Sequence, residues 1–102
     1  MAYEFIRVER EGPVTVFTLN RPDRGNSLRS DLVEQLRDCF DEAVALDPKL
    51  IVLLGAGSNF CTGFDLSDLQ DASEAELLLR FVRIEELLQR INNAGVMTMA
   101  VA

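Results

Sequence analysis

The sequence predicts an α/β fold with partly parallel strand pairing, and three observations lead to that prediction. Short apolar runs rich in β-branched residues alternate with two amphipathic stretches whose apolar residues repeat at helical spacing. Residues 50–54 are apolar at every position, which is typical of a strand covered on both faces. The predicted order is strand, strand, helix, strand, loop, helix, strand, so helices connect successive strands as they do in parallel sheets.

The first two predicted strands form a hairpin. Residues 3–8 alternate imperfectly between apolar and polar side chains, and residues 14–19 are rich in valine and phenylalanine. Residues 9–13 between them end in Gly-Pro and predict a turn. Residues 20–27 follow as a loop dense in turn formers, and its two arginines fit a solvated surface as well as a binding role.

The first predicted helix begins with Ser30 as its N-cap and Asp31 in its first turn, where the helix dipole favours an anion. It ends before Asp47-Pro48, because a residue that precedes proline avoids the helical conformation. Its apolar face is predicted to consist of Leu32, Val33, Leu36, Phe40, Ala43 and Val44.

The second predicted helix begins at residues 73–76, where Ser73 and Glu76 have the spacing of a capping box. It ends at residues 92–95. Its core-facing side chains are predicted to be Leu77, Phe81, Ile84, Leu88 and Ile91, and its solvated ones Glu76, Arg80, Glu86 and Arg90. Residues 96–102 then predict another buried strand. A chain rarely stops inside such a strand, so we expect residues 1–102 to be the amino-terminal part of a domain that continues further.

Composition limits the possible functions. The 10 basic and 17 acidic residues give a net charge of −7, which disfavours binding to nucleic acids and anionic membranes. The absence of histidine excludes His-based triads, His metal sites and His proton shuttles within these residues. No apolar run approaches the roughly 20 residues that span a bilayer and no signal peptide is evident, so a cytosolic location is expected. Cys39 and Cys61 are expected to be reduced thiols.

The loop at residues 59–66 follows the apolar strand directly, at the position where open α/β sheets bind ligands. Gly63 precedes an aromatic residue and can hold the Phe64 backbone N–H outward as a fixed donor for an oxyanion. Three alternatives are weaker. Cys61 lacks a basic neighbour that would activate it, and Gly55 with Gly57 lacks the third glycine of a dinucleotide fingerprint. A carboxylate pair at positions 65 and 68 fits loop capping better than acid–base chemistry.

Three motifs in order resemble the amino-terminal half of the crotonase superfamily, the enoyl-CoA hydratase/isomerase family. They are Leu19-Asn20-Arg21-Pro22, Asn26-Ser27-Leu28, and Asn59-Phe60-Cys61-Thr62-Gly63-Phe64-Asp65-Leu66. The chain departs from the family pattern in having Ser27 and Thr62 where alanine is usual. The resemblance implies a crotonase-like (Clp-protease-like) spiral core of ββα units, of which this chain would be the amino-terminal portion.

The resemblance also implies an acyl-CoA-binding enzyme that stabilises a thioester enolate through a backbone oxyanion hole. Phe64 would supply the first N–H donor, although its bulk would reshape the acyl pocket. The residues implied to line the coenzyme A and thioester path are Arg24, Asn26, Ser27, Thr62, Gly63, Asp65 and Leu66. The second donor and the catalytic glutamates would lie beyond residue 102.

The partners implied by the resemblance are an acyl-CoA thioester substrate and further copies of the chain in a homo-trimer or hexamer. Coenzyme A enters only as part of the substrate, so no separate cofactor and no metal is expected. A non-catalytic crotonase-like binding or assembly module is the alternative reading. The acyl chain and the choice between hydration, isomerisation and other thioester chemistry are left open.

Overall fold

The computed structural model describes residues 3–61 and 73–101. Within these residues one mixed sheet has the strand order β1 (Ile6–Glu11), β2 (Val14–Leu19), β3 (Leu50–Gly55) and β4 (Met97–Ala100). The β1 and β2 strands pair antiparallel, whereas β2 with β3 and β3 with β4 pair parallel. Two helices, α1 (Ser30–Val44) and α2 (Glu74–Asn93), connect the parallel strands. The predicted α/β class with partly parallel pairing is confirmed.

The hairpin between β1 and β2 is tighter than predicted. Glu11 pairs with Val14, so only Gly12 and Pro13 form the turn, and Gly12 has a φ of 55°. A positive φ at the first turn residue is typical of two-residue hairpin turns, and glycine adopts it readily. The prediction ended β1 at residue 8 because residues 9–11 are polar. These residues nevertheless extend β1. Their polar side chains point into solvent, while their backbone pairs with β2.

The α1 helix lies against the sheet and forms the core with it. The Phe17 and Phe40 rings pack with centroids 6.5 Å apart and planes tilted by 57°. The predicted face of α1 is confirmed, and Cys39 joins it with 2% of its surface exposed. The core of the described residues consists of Ile6, Phe17, Leu19, Leu32, Val33, Leu36, Cys39, Phe40, Ala43, Ile51, Leu53 and Leu87.

The start of α1 differs from the prediction by one residue. Arg29, not Ser30, occupies the N-cap position, with extended backbone at φ −93° and ψ 153°. The carbonyl of Arg29 accepts from the Val33 N–H at 3.0 Å, which makes Ser30 the first helical residue. Asp31 lies in the first turn as predicted. The helix ends at Val44, before the Asp47-Pro48 stop signal.

The predicted apolar face of α2 is wrong in part. Leu87 is its buried residue, and Ile84 and Ile91 pack beside it, whereas Phe81 and Leu88 are 57% and 60% exposed. The helix carries apolar side chains on all of its sides, so their spacing in the sequence is consistent with more than one core-facing stripe. The helix begins as predicted, since the Ser73 side chain accepts from the Glu76 N–H at 3.2 Å.

The prediction that β4 is buried is also wrong. Met97, Met99 and Val101 are 70%, 49% and 47% exposed. Within the described residues β4 pairs with β3 alone and stands at the edge of the sheet. The β3 strand has two well-buried residues, Ile51 and Leu53, and its other side chains are half-buried rather than covered on both faces. No helix in this described part is long and apolar enough to cross a membrane.

Candidate functional site

Two loops leave the sheet side by side at the carboxyl ends of β2 and β3. Because these strands are parallel, with Leu19 opposite Gly55, both chains emerge at the same edge. The Ala56 N–H donates to the Leu19 carbonyl at 2.8 Å and extends the pairing into the second loop. We name residues 20–29 the arginine loop and residues 55–61 the glycine loop.

The arginine loop folds around its own backbone. Pro22–Arg24 form one turn of 3-10 helix, after which Gly25 and Asn26 adopt left-handed conformations with φ of 62° and 55°. The Arg21 carbonyl accepts from the N–H groups of Arg24 and Asn26, at 3.0 and 2.9 Å. These bonds close the loop, and Arg24 is presented on its exposed side.

Asn26 connects the arginine loop to the glycine loop. Its side chain is completely buried. Its Oδ1 accepts from the Arg21 backbone N–H at 2.7 Å. Its Nδ2 donates to the carbonyl of Ala56 at 2.9 Å and to the carbonyl of Asn59 at 2.7 Å. The acceptor and the donor group of this amide are therefore both engaged by backbone atoms.

Arg21 and Ser27 also turn inward, and each is only 7% exposed. The Arg21 guanidinium lies over the Phe5 ring, 5.3 Å from its centroid, a cation–π geometry. Its Nη1 donates to the Ser27 carbonyl at 2.9 Å and approaches the Ser27 hydroxyl at 3.4 Å. The serine that replaces the family's alanine thus places its hydroxyl beside a buried cation.

The glycine loop folds back onto the end of β3. A Cβ at Gly55 would lie 2.5 Å from the Asn59 carbonyl oxygen and 2.6 Å from Phe60 Cα, so only glycine fits there. Gly57 has a φ of 78° and contacts the arginine loop, because a Cβ there would lie 3.0 Å from Pro22 Cβ. The two loops are therefore in contact at two places.

Three of the predicted site residues, Arg24, Asn26 and Ser27, lie in the described part of the chain. Arg24 is exposed, whereas Asn26 and Ser27 have buried side chains. Phe64 and the other predicted residues of the third motif, Thr62, Gly63, Asp65 and Leu66, lie outside the described residues, and their predicted roles stay predictions. The described chain reaches Cys61, so the glycine loop leads directly into that motif.

Two residues, Arg21 and Phe5, support this edge of the sheet in a way that the sequence did not predict. The sequence predicts Arg21 either at a solvated surface or in a binding role and Phe5 only as a strand residue, yet Arg21 is buried and its guanidinium lies over the Phe5 ring. The signal for Arg21 was its place beside proline in the first motif. Just before Phe5 in the chain, the hydrogen bond that the Tyr3 hydroxyl donates to Glu42 raises the pKa of Tyr3, and burial raises the pKa of the Cys39 thiol.

The chain is similar to enzymes that act on coenzyme A thioesters. A family model described as enoyl-CoA hydratase/isomerase matches residues 9–101. A probable enoyl-CoA hydratase of Mycobacterium leprae is 36% identical over 87 residues, which cover 81% of this chain and 34% of that protein. The 1,2-epoxyphenylacetyl-CoA isomerase of Escherichia coli is 41% identical over 66 residues, which cover 64% of this chain and 25% of that protein.

The fold is shared with a crystal structure from Bordetella parapertussis that is assigned as an enoyl-CoA hydratase/isomerase. It matches with a TM-score of 0.89 at 45% identity, over 94% of this chain and 40% of that one. The chain thus spans well under half the length of the relatives that it matches. The family match covers nearly all of the chain and the fold agrees with it, so this chain belongs to the enoyl-CoA hydratase/isomerase family and has the α/β architecture of the crotonase fold.

Proposed function

We propose that this chain is part of an acyl-CoA-binding enzyme that stabilises a thioester enolate through a backbone oxyanion hole. The observation that supports the proposal is the contact between the arginine loop and the glycine loop at the carboxyl edge of the parallel strands. This contact joins the loop that carries the exposed Arg24 to the segment that leads into Phe64. One end of the ligand would meet each loop.

Arg24 is the proposed contact for the phosphates of coenzyme A. Its guanidinium is exposed, on a turn closed by backbone bonds to the Arg21 carbonyl. A guanidinium matches phosphate geometry well because its N–H groups can donate in pairs. In a chain of net charge −7, such a local cation gives an anionic ligand a favourable place to bind.

Phe64 is the proposed first donor of the oxyanion hole, through its backbone N–H. Removal of a proton next to a thioester, or addition of water to its double bond, moves negative charge onto the thioester oxygen. A fixed N–H stabilises this charge more than it stabilises the neutral substrate, which lowers the barrier. The second donor and the carboxylates that move protons are expected outside residues 1–102. A homo-trimer or hexamer is part of the same proposal.

Calorimetric titration of the complete polypeptide with a non-hydrolysable acyl-CoA thioether tests the binding half of this proposal. Saturable binding is expected. Arg24→Gln should weaken it about 10- to 100-fold, the usual loss for a charge-assisted contact of about 1.5–3 kcal/mol. Arg10→Gln, the same change at an exposed arginine in β1, is the matched control and should leave the affinity unchanged. No binding at millimolar ligand contradicts the proposal.

Replacing Phe64 tests the oxyanion half. Phe64→Pro removes the backbone N–H and should lower kcat by about 10²- to 10³-fold, the usual effect of losing one oxyanion donor. Phe64→Ala keeps the N–H and should retain far more of the activity. Thioether binding and circular dichroism verify that both variants are folded. Equal turnover by the proline variant and the wild type would remove Phe64 from the mechanism, and binding without any turnover by the wild type would favour a non-catalytic module.

A further inference from the structure

We propose that Asn26 is a positioning residue that holds the glycine loop against the arginine loop and thereby sets the geometry of the acyl-CoA site. Its side chain would act through backbone atoms and not through the ligand. The catalytic consequence rests on the proposed function, whereas the coupling of the two loops does not.

The Asn26 side-chain amide is completely used in hydrogen bonds. The side chain has no exposed surface, and its three bonds of 2.7–2.9 Å all join backbone atoms. A buried amide that is fully satisfied is rigid, because each lost bond would leave a buried group without a partner. The side chain has no donor left for a phosphate or a thioester.

The two Nδ2 bonds of Asn26 end at opposite limbs of the glycine loop. They reach the carbonyl of Ala56 at the start of the glycine loop and the carbonyl of Asn59 near its end. One amide group therefore fixes the separation of the two limbs of that loop. The Asn59 carbonyl also lies against Gly55, so it is held from both sides. The chain passes from there through Cys61 into the segment that contains Phe64.

The backbone conformation at Asn26 limits which residues can replace it. Its φ of 55° lies in the left-handed region, which asparagine, aspartate and glycine adopt more readily than other residues. Two substitutions therefore remove the two bonds to the glycine loop without straining the backbone. Glycine removes all three bonds. Aspartate keeps the acceptor for the Arg21 N–H but turns both donors into an anion that faces two carbonyl oxygens.

The bonds that remain predict which kinetic constant changes. Without the Asn26 amide, the arginine loop is still closed by the Arg21 carbonyl and by the bond from the Arg21 guanidinium to Ser27. The glycine loop loses two hydrogen bonds that join it to the arginine loop, and its contact with Pro22 through Gly57 remains. We therefore expect kcat to fall about 10- to 100-fold in both variants, with KM for acyl-CoA changed by less than about threefold.

Amide hydrogen exchange on the complete polypeptide tests the coupling without reference to catalysis. In Asn26→Gly and Asn26→Asp, exchange of amides 57–61 is expected to accelerate at least tenfold, while amides of β2 and β3 keep their wild-type rates. Asn92→Asp makes the same chemical change at an exposed residue of the last turn of α2 and should alter neither exchange nor kcat. If the glycine variant does not fold, the aspartate variant decides, since it keeps the bond to Arg21.

The outcomes separate this inference from the proposed function. Unchanged exchange at 57–61 in the folded variants overturns the positioning role. A uniform rise in exchange across β2 and β3 with unchanged kcat per folded molecule also overturns it, because that result shows only a loss of stability. If the wild type fails to bind acyl-CoA, the proposed function fails, and the exchange of 57–61 still decides whether Asn26 couples the loops.

Discussion

Cys39 is a thiol in the core of the molecule. It faces the sheet from α1 and has 2% of its surface exposed. Burial raises the pKa of its thiol from 9.0 to about 11, and the nearby Glu42 carboxylate adds to the shift. The neutral thiol is therefore the form that fits the folded protein.

This shift predicts a pH dependence of stability. Because the pKa of Cys39 is higher in the folded state, its stabilising contribution is complete below pH 9 and is lost as the pH rises from 9 to 11. Urea unfolding of the wild type should show a loss on the order of 1–2 kcal/mol across this window beyond that of Cys39→Ala, which has no thiol at this position. The difference in unfolding free energy between the two proteins should become smaller as the pH rises, and a constant difference would contradict the raised pKa of Cys39.

The motif residues show what sequence could and could not reveal about single side chains. The ordered motifs identified the two loops and their family, and the loops do meet at the carboxyl edge of the sheet. The motifs could not show that Asn26 and Ser27 face inward. The direction of the Asn26 side chain depends on left-handed backbone at residues 25 and 26 and on partners about 30 residues away, which local sequence does not encode.

The α2 helix shows the same limit for a whole element. Its length and its start follow from local signals, the Ser73 cap and the apolar repeat, and the structure confirms both. The side that faces the core depends instead on how the helix meets α1. Two ion pairs join the helices, Arg83 with Glu34 and Arg90 with Asp41, seven residues apart on each helix. Exposed pairs of this kind contribute little energy, but they record that the helices run side by side in the same direction.

Two leucines that are adjacent in sequence test the observed face of α2. Leu87 is 5% exposed and Leu88 is 60% exposed. Leu87→Ala should lower the free energy of unfolding by about 2–4 kcal/mol, because it leaves a cavity in the core. Leu88→Ala should change it by less than about 0.5 kcal/mol. Chemical denaturation of both variants measures this, and equal losses would restore the face that the sequence predicted.

The whole described molecule has one well-formed core and one poorly covered side. The α1 helix covers one face of the sheet, while β4 at the edge exposes methionines and α2 exposes large apolar residues. The order of elements and the parallel pairing followed from the sequence. A helix between two strands carries the chain back along the sheet, so the next strand runs parallel to the one before it. The burial of β3 and β4 did not follow from the sequence, because the burial of a strand depends on what packs against it and not on the strand alone.

This exposed edge predicts that the 102-residue chain self-associates. An unpaired apolar strand offers backbone N–H and carbonyl groups to another chain, and a charge on the edge discourages such pairing. Light scattering should therefore show association that rises with concentration and is reduced by Met97→Lys. Leu46→Lys is the control, since it adds the same charge to a residue 61% exposed after α1. Equal effects of both substitutions would attribute the change to net charge alone.

Gly55 has a consequence for the range of sequences that can encode this fold. Its Cα lies so close to the backbone of residues 59 and 60 that the smallest side chain, a methyl group, already overlaps them. In a saturation library selected for folded protein, this codon should return glycine alone, whereas the open turn position Gly12 should also admit asparagine and aspartate. The residues recovered at each glycine codon would then indicate how closely other backbone atoms approach that position, from the selection experiment alone.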